Sequence, residues 1–326
     1  MAVIVDVFGG DNAPLAILKG CEQAALEYGI DVILAGNEKI IKKTAQENNI
    51  SLDKMDIINA ESIITMEDDP SMIMNAKKDC SMAEGLKALS DGKGDAFVSG
   101  GSTGALLIGA SFIVKRLKGI KRCALAPIIP NNKGCHMLID CGANVECRPE
   151  MLMQFAVMGS VYMEKVMNIQ NPRVGLVNVG TEETKGGELQ LAAYDLLKNS
   201  NLNFTGNIES REIPFGGADV VVTDGFTGNI ILKLTEGLVG ALMSNIKDIF
   251  TKNLISKVAA ASVKPGIKVL KEKMDIDEYG GAPLLGTIKP VFKAHGNSNE
   301  KAIKNAIRLA NDFAKTKVID TIKDNL

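Results

Sequence analysis

Tryptophan is missing from the 326 residues, and aromatic residues make up only 4% of them. The core therefore has to be aliphatic, built from Ile, Val, Leu, Met and Ala. There is no apolar run of about 18 residues, which excludes a simple bilayer-spanning helix. Charge of one sign does not dominate. The formal net charge is −2, so nothing global points to nucleic acid. The opening run, Ala2 to Phe8, reads as a strand and lacks the basic flank and cleavage site of a secretory signal. The six cysteines (Cys21, Cys80, Cys123, Cys135, Cys141, Cys147) contain no Cys-x-x-Cys pair. Reduced thiols in a cytoplasmic setting are expected, and a structural zinc site at His136 and its neighbouring cysteines is not.

Glycine, by contrast, is abundant at 32 residues, and its placement is regular. Short β-branched runs each meet a glycine turn and then a helical pattern. Val3 to Phe8 leads through Gly9-Gly10-Asp11 to Pro14–Tyr28. Asp31 to Leu34 leads through Gly36-Asn37 to Glu38–Asn48. Ala96 to Ser99 leads through Gly100 to Gly104 to a helix over Ala105–Leu117. Val174 to Val179 leads through Gly180 to Gly187 to Glu188–Lys198. Val220 to Thr223 leads through Asp224 to Gly228 to a further helix. This alternation predicts a three-layer α/β/α fold with a mainly parallel sheet, taken as one unit over 1–326. Ligands in such folds bind beyond the carboxyl ends of the strands, where these glycine loops fall. Ala124–Ile129 and Met137–Asp140 read as a hairpin of strands. Residues 232–273 read as a projecting helical hairpin with its break near Ser262–Gly266.

Four loops carry candidate chemistry. In Ser99-Gly100-Gly101-Ser102-Thr103-Gly104, glycines permit close backbone approach, the hydroxyls add donors, and a helix N-terminus favours an anion. The pattern is neither Walker A nor Gly-x-Gly-x-x-Gly, and a plain strand-to-helix turn accounts for it equally well. Lys185, in Gly180 to Gly187, offers a compact positive charge, although an exposed lysine is the simpler account. Asn229 follows Asp224-Gly225-Phe226-Thr227-Gly228 and carries both donor and acceptor groups, but it also suits a helix cap. His295, in Ala294-His295-Gly296, suits an acid, a base or a phosphate donor, or a structural role. From Lys247 to Lys273, lysines that include Lys252, Lys257, Lys264 and Lys268 alternate with apolar residues such as Leu254. A basic amphipathic stretch of this kind suits an anionic surface or a solvated helix pair.

Taken in order, several stretches resemble the bacterial acyl-ACP:phosphate acyltransferases, the PlsX family. They are Asp6 to Asp11, Ser99 to Ala105, Asp140-Cys141-Gly142-Ala143-Asn144, Gln154 to Ser160, Asn171 to Gly175, Gly180 to Gly186, Asp224 to Asn229, and His295-Gly296. Phe8, Gly100, Ser102 and Thr181 depart from the usual family residues. The resemblance spans essentially the whole chain. It implies an isocitrate/isopropylmalate dehydrogenase-like fold shared with phosphotransacetylases, a homodimer and peripheral membrane association, and it does not imply a nicotinamide cofactor. It also implies acyl transfer from acyl carrier protein (ACP) to inorganic phosphate. On that reading Lys185, Asn229 and His295 are the catalytic candidates. Gly10, Ser99, Gly101, Ser102, Thr103, Gly104, Asp224 and Gly228 form the phosphate site, and Lys252, Leu254, Lys257, Lys264 and Lys268 meet the carrier or the membrane. A short-chain phosphotransacylase acting on acyl-CoA, a non-catalytic surface adaptor and a dehydrogenase of the same fold are the competing classes.

Overall fold

The β-branched runs form strands and the glycine turns lead them into helices, so local preference and global pattern agree. The computed structural model describes residues 1–273 and 278–325; the side chains of residues 254, 255, 258 and 270–273 also lie outside the described residues. The strands are β1 (Ala2–Asp6), β2 (Asp31–Gly36), β3 (Met55–Asn59), β4 (Ala96–Ser99), β5 (Ala124–Leu125), β6 (Ile128–Asn131), β7 (Gly134–Ile139), β8 (Val174–Val177), β9 (Phe204–Ile208), β10 (Val220–Val222), β11 (Ala282–Leu285) and β12 (Val291–Lys293). The α-helices are α1 (Leu15–Tyr28), α2 (Glu38–Glu47), α3 (Ser81–Ser90), α4 (Thr103–Gly109), α5 (Pro149–Lys165), α6 (Glu188–Lys198), α7 (Gly225–Thr251), α8 (Leu254–Lys273), α9 (Glu300–Lys315) and α10 (Val318–Asp324).

The strands make two sheets. The first runs β3-β2-β1-β4-β12-β11-β5 and the second β6-β7-β10-β8-β9. Pairing is parallel except at β11, which runs against β12 and β5, and at β6, which runs against β7. The expected α/β architecture with mainly parallel strands is present, divided between two sheets. Residues of both sheets enter one apolar cluster: Val3 and Val5 of β1, Met137 and Ile139 of β7, Val220 and Val222 of β10. Helix α5 belongs to the same cluster through Leu152, Phe155, Met158 and Tyr162. It is apolar on most sides, as a helix covered on several faces must be. Tyr162 stacks on Phe313 of α9, with ring centroids 5.6 Å apart.

Three boundaries differ from the sequence reading. The run Ala124–Ile129 is broken at Ala126-Pro127, and its halves pair in different sheets. Pro127 has no N–H to donate, so it marks the crossing point. The helix after Thr103 does not run uniformly to Leu117. It widens into a π-helical stretch over Ala110–Lys115. Between α7 and α8 the break falls at Lys252-Asn253, not at Ser262–Gly266, and Pro265 lies inside α8. Asn253 explains the position: its Oδ1 accepts from Ser256 N–H at 2.8 Å and caps α8.

Candidate active site

The loops after β1, β4 and β12 converge at one end of the first sheet. Gly10 holds φ at 114°, and a Cβ there would stand 2.8 Å from the Gly296 carbonyl. Only glycine serves at that point, because both the dihedral and the space exclude a side chain. The Gly296 carbonyl in turn accepts from Asp11 N–H at 2.7 Å. Beneath this contact Asp6 is buried, and its Oδ2 accepts from Ser99 Oγ at 2.7 Å. Burial raises the Asp6 pKa, and hydrogen bonds from Ser81, Ser99 and Phe8 N–H oppose the rise. Ser99 Oγ also accepts from Gly101 N–H at 3.0 Å. Ser99 and Gly101 are therefore committed to each other and to Asp6. Ser102 is the N-cap of α4, accepting from Ala105 N–H, while a Cβ on Gly104 would meet Pro70 at 2.8 Å. Of this loop, Thr103 faces the cavity described below.

Loops of the second sheet form the opposite wall. Asp224 caps α7: its carboxylate accepts from Thr227 N–H at 2.9 Å and Thr227 Oγ1 at 2.8 Å. That makes Asp224 the helix cap, and Asn229 stands in the second turn of α7 instead of capping it. Gly228 presses against the Asp140 carbonyl, leaving no room for a side chain. Asp140 is fully buried. It accepts from Leu125 N–H at 2.9 Å, Asn144 N–H at 2.7 Å and Asn144 Nδ2 at 2.9 Å, which ties β5 to the loop after β7. Desolvation still raises its pKa to about 6.

Between these walls lies a cavity of about 300 Å³. Thr103, Asn229, Lys233, Lys293 and His295 line it, with Gly142 and Leu232 beside them. Lys293 ends β12 and is buried, and its ammonium donates to the carbonyls of Gly100, at 3.1 Å, and Ala294. No carboxylate pairs with it among the described residues. Desolvation first, and then the charge of Lys233, lower its pKa to about 8 against the pull of Asp6 and Asp11. Lys233 pairs with Glu236 at 2.8 Å, and the other Glu236 oxygen stands 3.8 Å from His295 Nε2. Two ammonium groups thus face one space with a single flanking carboxylate bound to only one of them. Such a space attracts an anion, because it supplies the counter-charge that the buried lysine lacks.

Sequence reasoning found Asn229, His295 and Thr103, and the fold brings them together. It missed Lys293, Lys233 and Glu236. Lys293 immediately precedes Ala294-His295-Gly296 and Lys233 falls in the helical run that begins at Leu232, and neither carries a local signal of its own. Lys185 is placed elsewhere. It sits in the loop after β8, half exposed, with its carbon stem against Gly180 and its ammonium 4.0 Å from Glu182, and it does not line the cavity. Lys252, Lys257, Lys264 and Lys268 are exposed on α7–α8; the side chain of Leu254 lies outside the described residues. His136 is buried with Nδ1 3.2 Å from Asn131 Nδ2, and burial lowers its pKa to about 4. Among the described residues no group of three His, Cys, Asp or Glu is arranged to hold a metal, and no helix is long and apolar enough to cross a membrane.

Solved structures define the fold class. EutD phosphotransacetylase from Staphylococcus aureus matches with a TM-score of 0.63 at 17% identity, covering 96% of this chain and 94% of that one. A 4-hydroxythreonine-4-phosphate dehydrogenase from Burkholderia phymatum matches with a TM-score of 0.52 at 13% identity, covering 95% and 97%. The fold is therefore the α/β architecture common to phosphotransacetylases and these dehydrogenases. Residues 1–321 match the family described as fatty acid synthesis protein, and the chain belongs to that family. The chain is 47% identical over 326 residues to a phosphate acyltransferase of Alkaliphilus oremlandii, covering all of this chain and 97% of the relative. It is 46% identical over 324 residues to a phosphate acyltransferase of Acetivibrio thermocellus, covering 99% and 96%.

Proposed function

We propose that this chain is a phosphate acyltransferase that moves an acyl group from the thioester of an acyl carrier protein onto inorganic phosphate, serving phospholipid synthesis. The observation that carries this reading is the cavity of Lys293, Lys233, Asn229 and His295, in a chain whose relatives are named phosphate acyltransferase. Hydrogenphosphate is itself the nucleophile, so no serine or cysteine nucleophile is needed. A phosphate oxygen attacks the thioester carbon and forms a tetrahedral oxyanion. The carbon–sulfur bond then breaks, and the phosphate proton ends on the departing thiol. Acyl phosphate and free carrier thiol result.

The residues of the cavity suit those steps. Lys293 supplies a fixed, desolvated positive charge for phosphate. Asn229 is assigned to the oxyanion, with Thr103 as a further hydroxyl donor. His295, braced by Glu236, is assigned to phosphate or to the proton in transit. Lys185 lies in the loop after β8, beside the β10 loop that leads to Asn229, and we assign it a long-range share of the phosphate attraction.

The helices α7 and α8 support the remaining parts of the reading. Phe226, Ile230, Leu234, Leu238 and Leu242 recur every four residues along α7 and are each at least half exposed. A stripe of that size suits a second copy of the chain, as in a homodimer. The exposed lysines beyond it, with Ile249 and Val269, suit an anionic membrane surface approached from the cytoplasm by a projecting hairpin. Mass-spectrometric detection of acyl phosphate from acyl carrier protein and phosphate tests the activity. Its formation from acetyl-CoA alone would favour a short-chain phosphotransacylase instead.

A further inference from the structure

A second groove, of about 270 Å³, adjoins the cavity along two shared walls. The first wall is α4 and its π-helical continuation: Thr103 lines the cavity, and Leu107, Ile108 and Phe112 line the groove. The second is the loop after β7, where Cys141 and Gly142 face the cavity and Ala143 and Asn144 face the groove. At its outer end stand Arg116 and Arg122, with Glu146 as the one acid of the lining.

These arginines belong to a basic strip. Lys115, Arg116, Lys118, Lys121 and Arg122 fall within eight residues that contain no acid. All five are exposed, and none forms an ion pair among the described residues. The strip is also held in place. Leu117 and Ile120 are buried beneath it, and Leu117 N–H donates to the Gly286 carbonyl at 2.9 Å. Gln154 of α5 grips it from below, donating to the Gly119 carbonyl and accepting from Lys121 N–H, each at 2.9 Å. Arg116 donates to the Lys121 carbonyl. Its charges are thus preorganised, and Phe112 and Val145 add exposed apolar surface at the groove, at 61% and 65% exposure. A strip of five cations without ion pairs among the described residues, two of which line a partly apolar groove that shares its walls with the cavity, is complementary to an acidic protein carrying a slender acylated arm.

We propose that the strip Lys115–Arg122 and its groove are the docking surface for an acidic carrier protein, whose thioester-bearing arm passes along α4 to the cavity at Asn229 and Lys293. This rests on the acyl-transfer reading above and adds the partner's place on the surface. A lipid surface fits less well, because a planar anionic layer has no use for a groove that leads to the reaction site.

The test is steady-state kinetics with acyl carrier protein as donor and acyl phosphate as readout, for the wild type, Lys118→Glu/Lys121→Glu and Phe112→Glu. Charge reversal is expected to raise the KM for the carrier about tenfold or more, with kcat and the KM for phosphate little changed, and to flatten its dependence on salt. Phe112→Glu is expected to raise the same KM on its own. An S-acyl-N-acetylcysteamine donor, which lacks the carrier, should be used equally well by wild type and charge-reversed protein. An unchanged carrier KM in both variants overturns the proposal. So does a KM that rises only in Lys252→Glu/Lys257→Glu, and so does loss of binding to phosphatidylglycerol vesicles with an unaltered carrier KM. Absence of acyl phosphate from the wild type with either donor would sink the activity itself, a separate outcome visible before any variant is made.

Discussion

Lys293 ends β12 and Lys185 lies in the loop that follows β8, and their surroundings differ in kind. Lys293 is buried, bonded among the described residues to the carbonyls of Gly100 and Ala294, and its pKa is lowered to about 8. Lys185 is half exposed and lies 4.0 Å from a glutamate that is itself exposed. Water screens the second charge and already solvates it, so an arriving phosphate gains little from it. The first has been stripped of water and has no anionic partner among the described residues, so on the proposed reading a phosphate completes its solvation. On the proposed reading, desolvation without a counter-ion marks the lysine that holds phosphate, and position in a glycine loop does not.

The largest effect expected from this contrast is in Lys293→Met, which keeps the aliphatic stem. It should lower kcat/KM for phosphate by about a hundredfold to a thousandfold with the fold intact by circular dichroism. Next comes the wall that positions Asn229. Gly228→Ala places a methyl against the Asp140 carbonyl, and urea denaturation should register a loss of about 2–3 kcal/mol. Asn229→Ala, which removes a donor but no packing, should slow turnover by about tenfold to a hundredfold. A pH profile sharpens the comparison further. The charged form of Lys293 is the one that attracts phosphate, so kcat/KM should fall as pH rises through about 8. Lys293→Arg should move that limb to higher pH. Stability should follow the opposite course. The folded state holds this proton less tightly than the unfolded chain, so the stability contribution rises with pH between about 8 and 10.5. The smallest effect belongs to Lys185→Ala, at about fivefold or less, expressed mainly in the KM for phosphate.

The frame of the molecule was legible in the sequence because β-branched runs and glycine turns are local signals. Ala96–Ser99 and Glu188–Lys198 fall where the pattern put them. The split at Pro127 was harder to see, since nothing local says that two halves of one apolar run will pair in different sheets. Pro265-Gly266 drew the helix break to the wrong place, while the capping side chain of Asn253 set the real one. In the site, Asn229 and His295 stood out as polar residues in glycine loops. Lys293 did not, because its significance comes from what covers it: the Gly100 and Ala294 carbonyls and the charge of Lys233, which meet only when α7 and the loops of both sheets are in place. The strip Lys115–Arg122 was not singled out in the sequence, because its meaning depends on the groove beside it.

Phosphate-dependent formation of acyl phosphate from acyl carrier protein, measured in parallel for wild type, Lys293→Met and Lys185→Ala, tests the central claim most directly. The account predicts loss of kcat/KM for phosphate by at least about a hundredfold in Lys293→Met and near-retention in Lys185→Ala. Equal activity of Lys293→Met and wild type, or a larger loss in Lys185→Ala than in Lys293→Met, would contradict it.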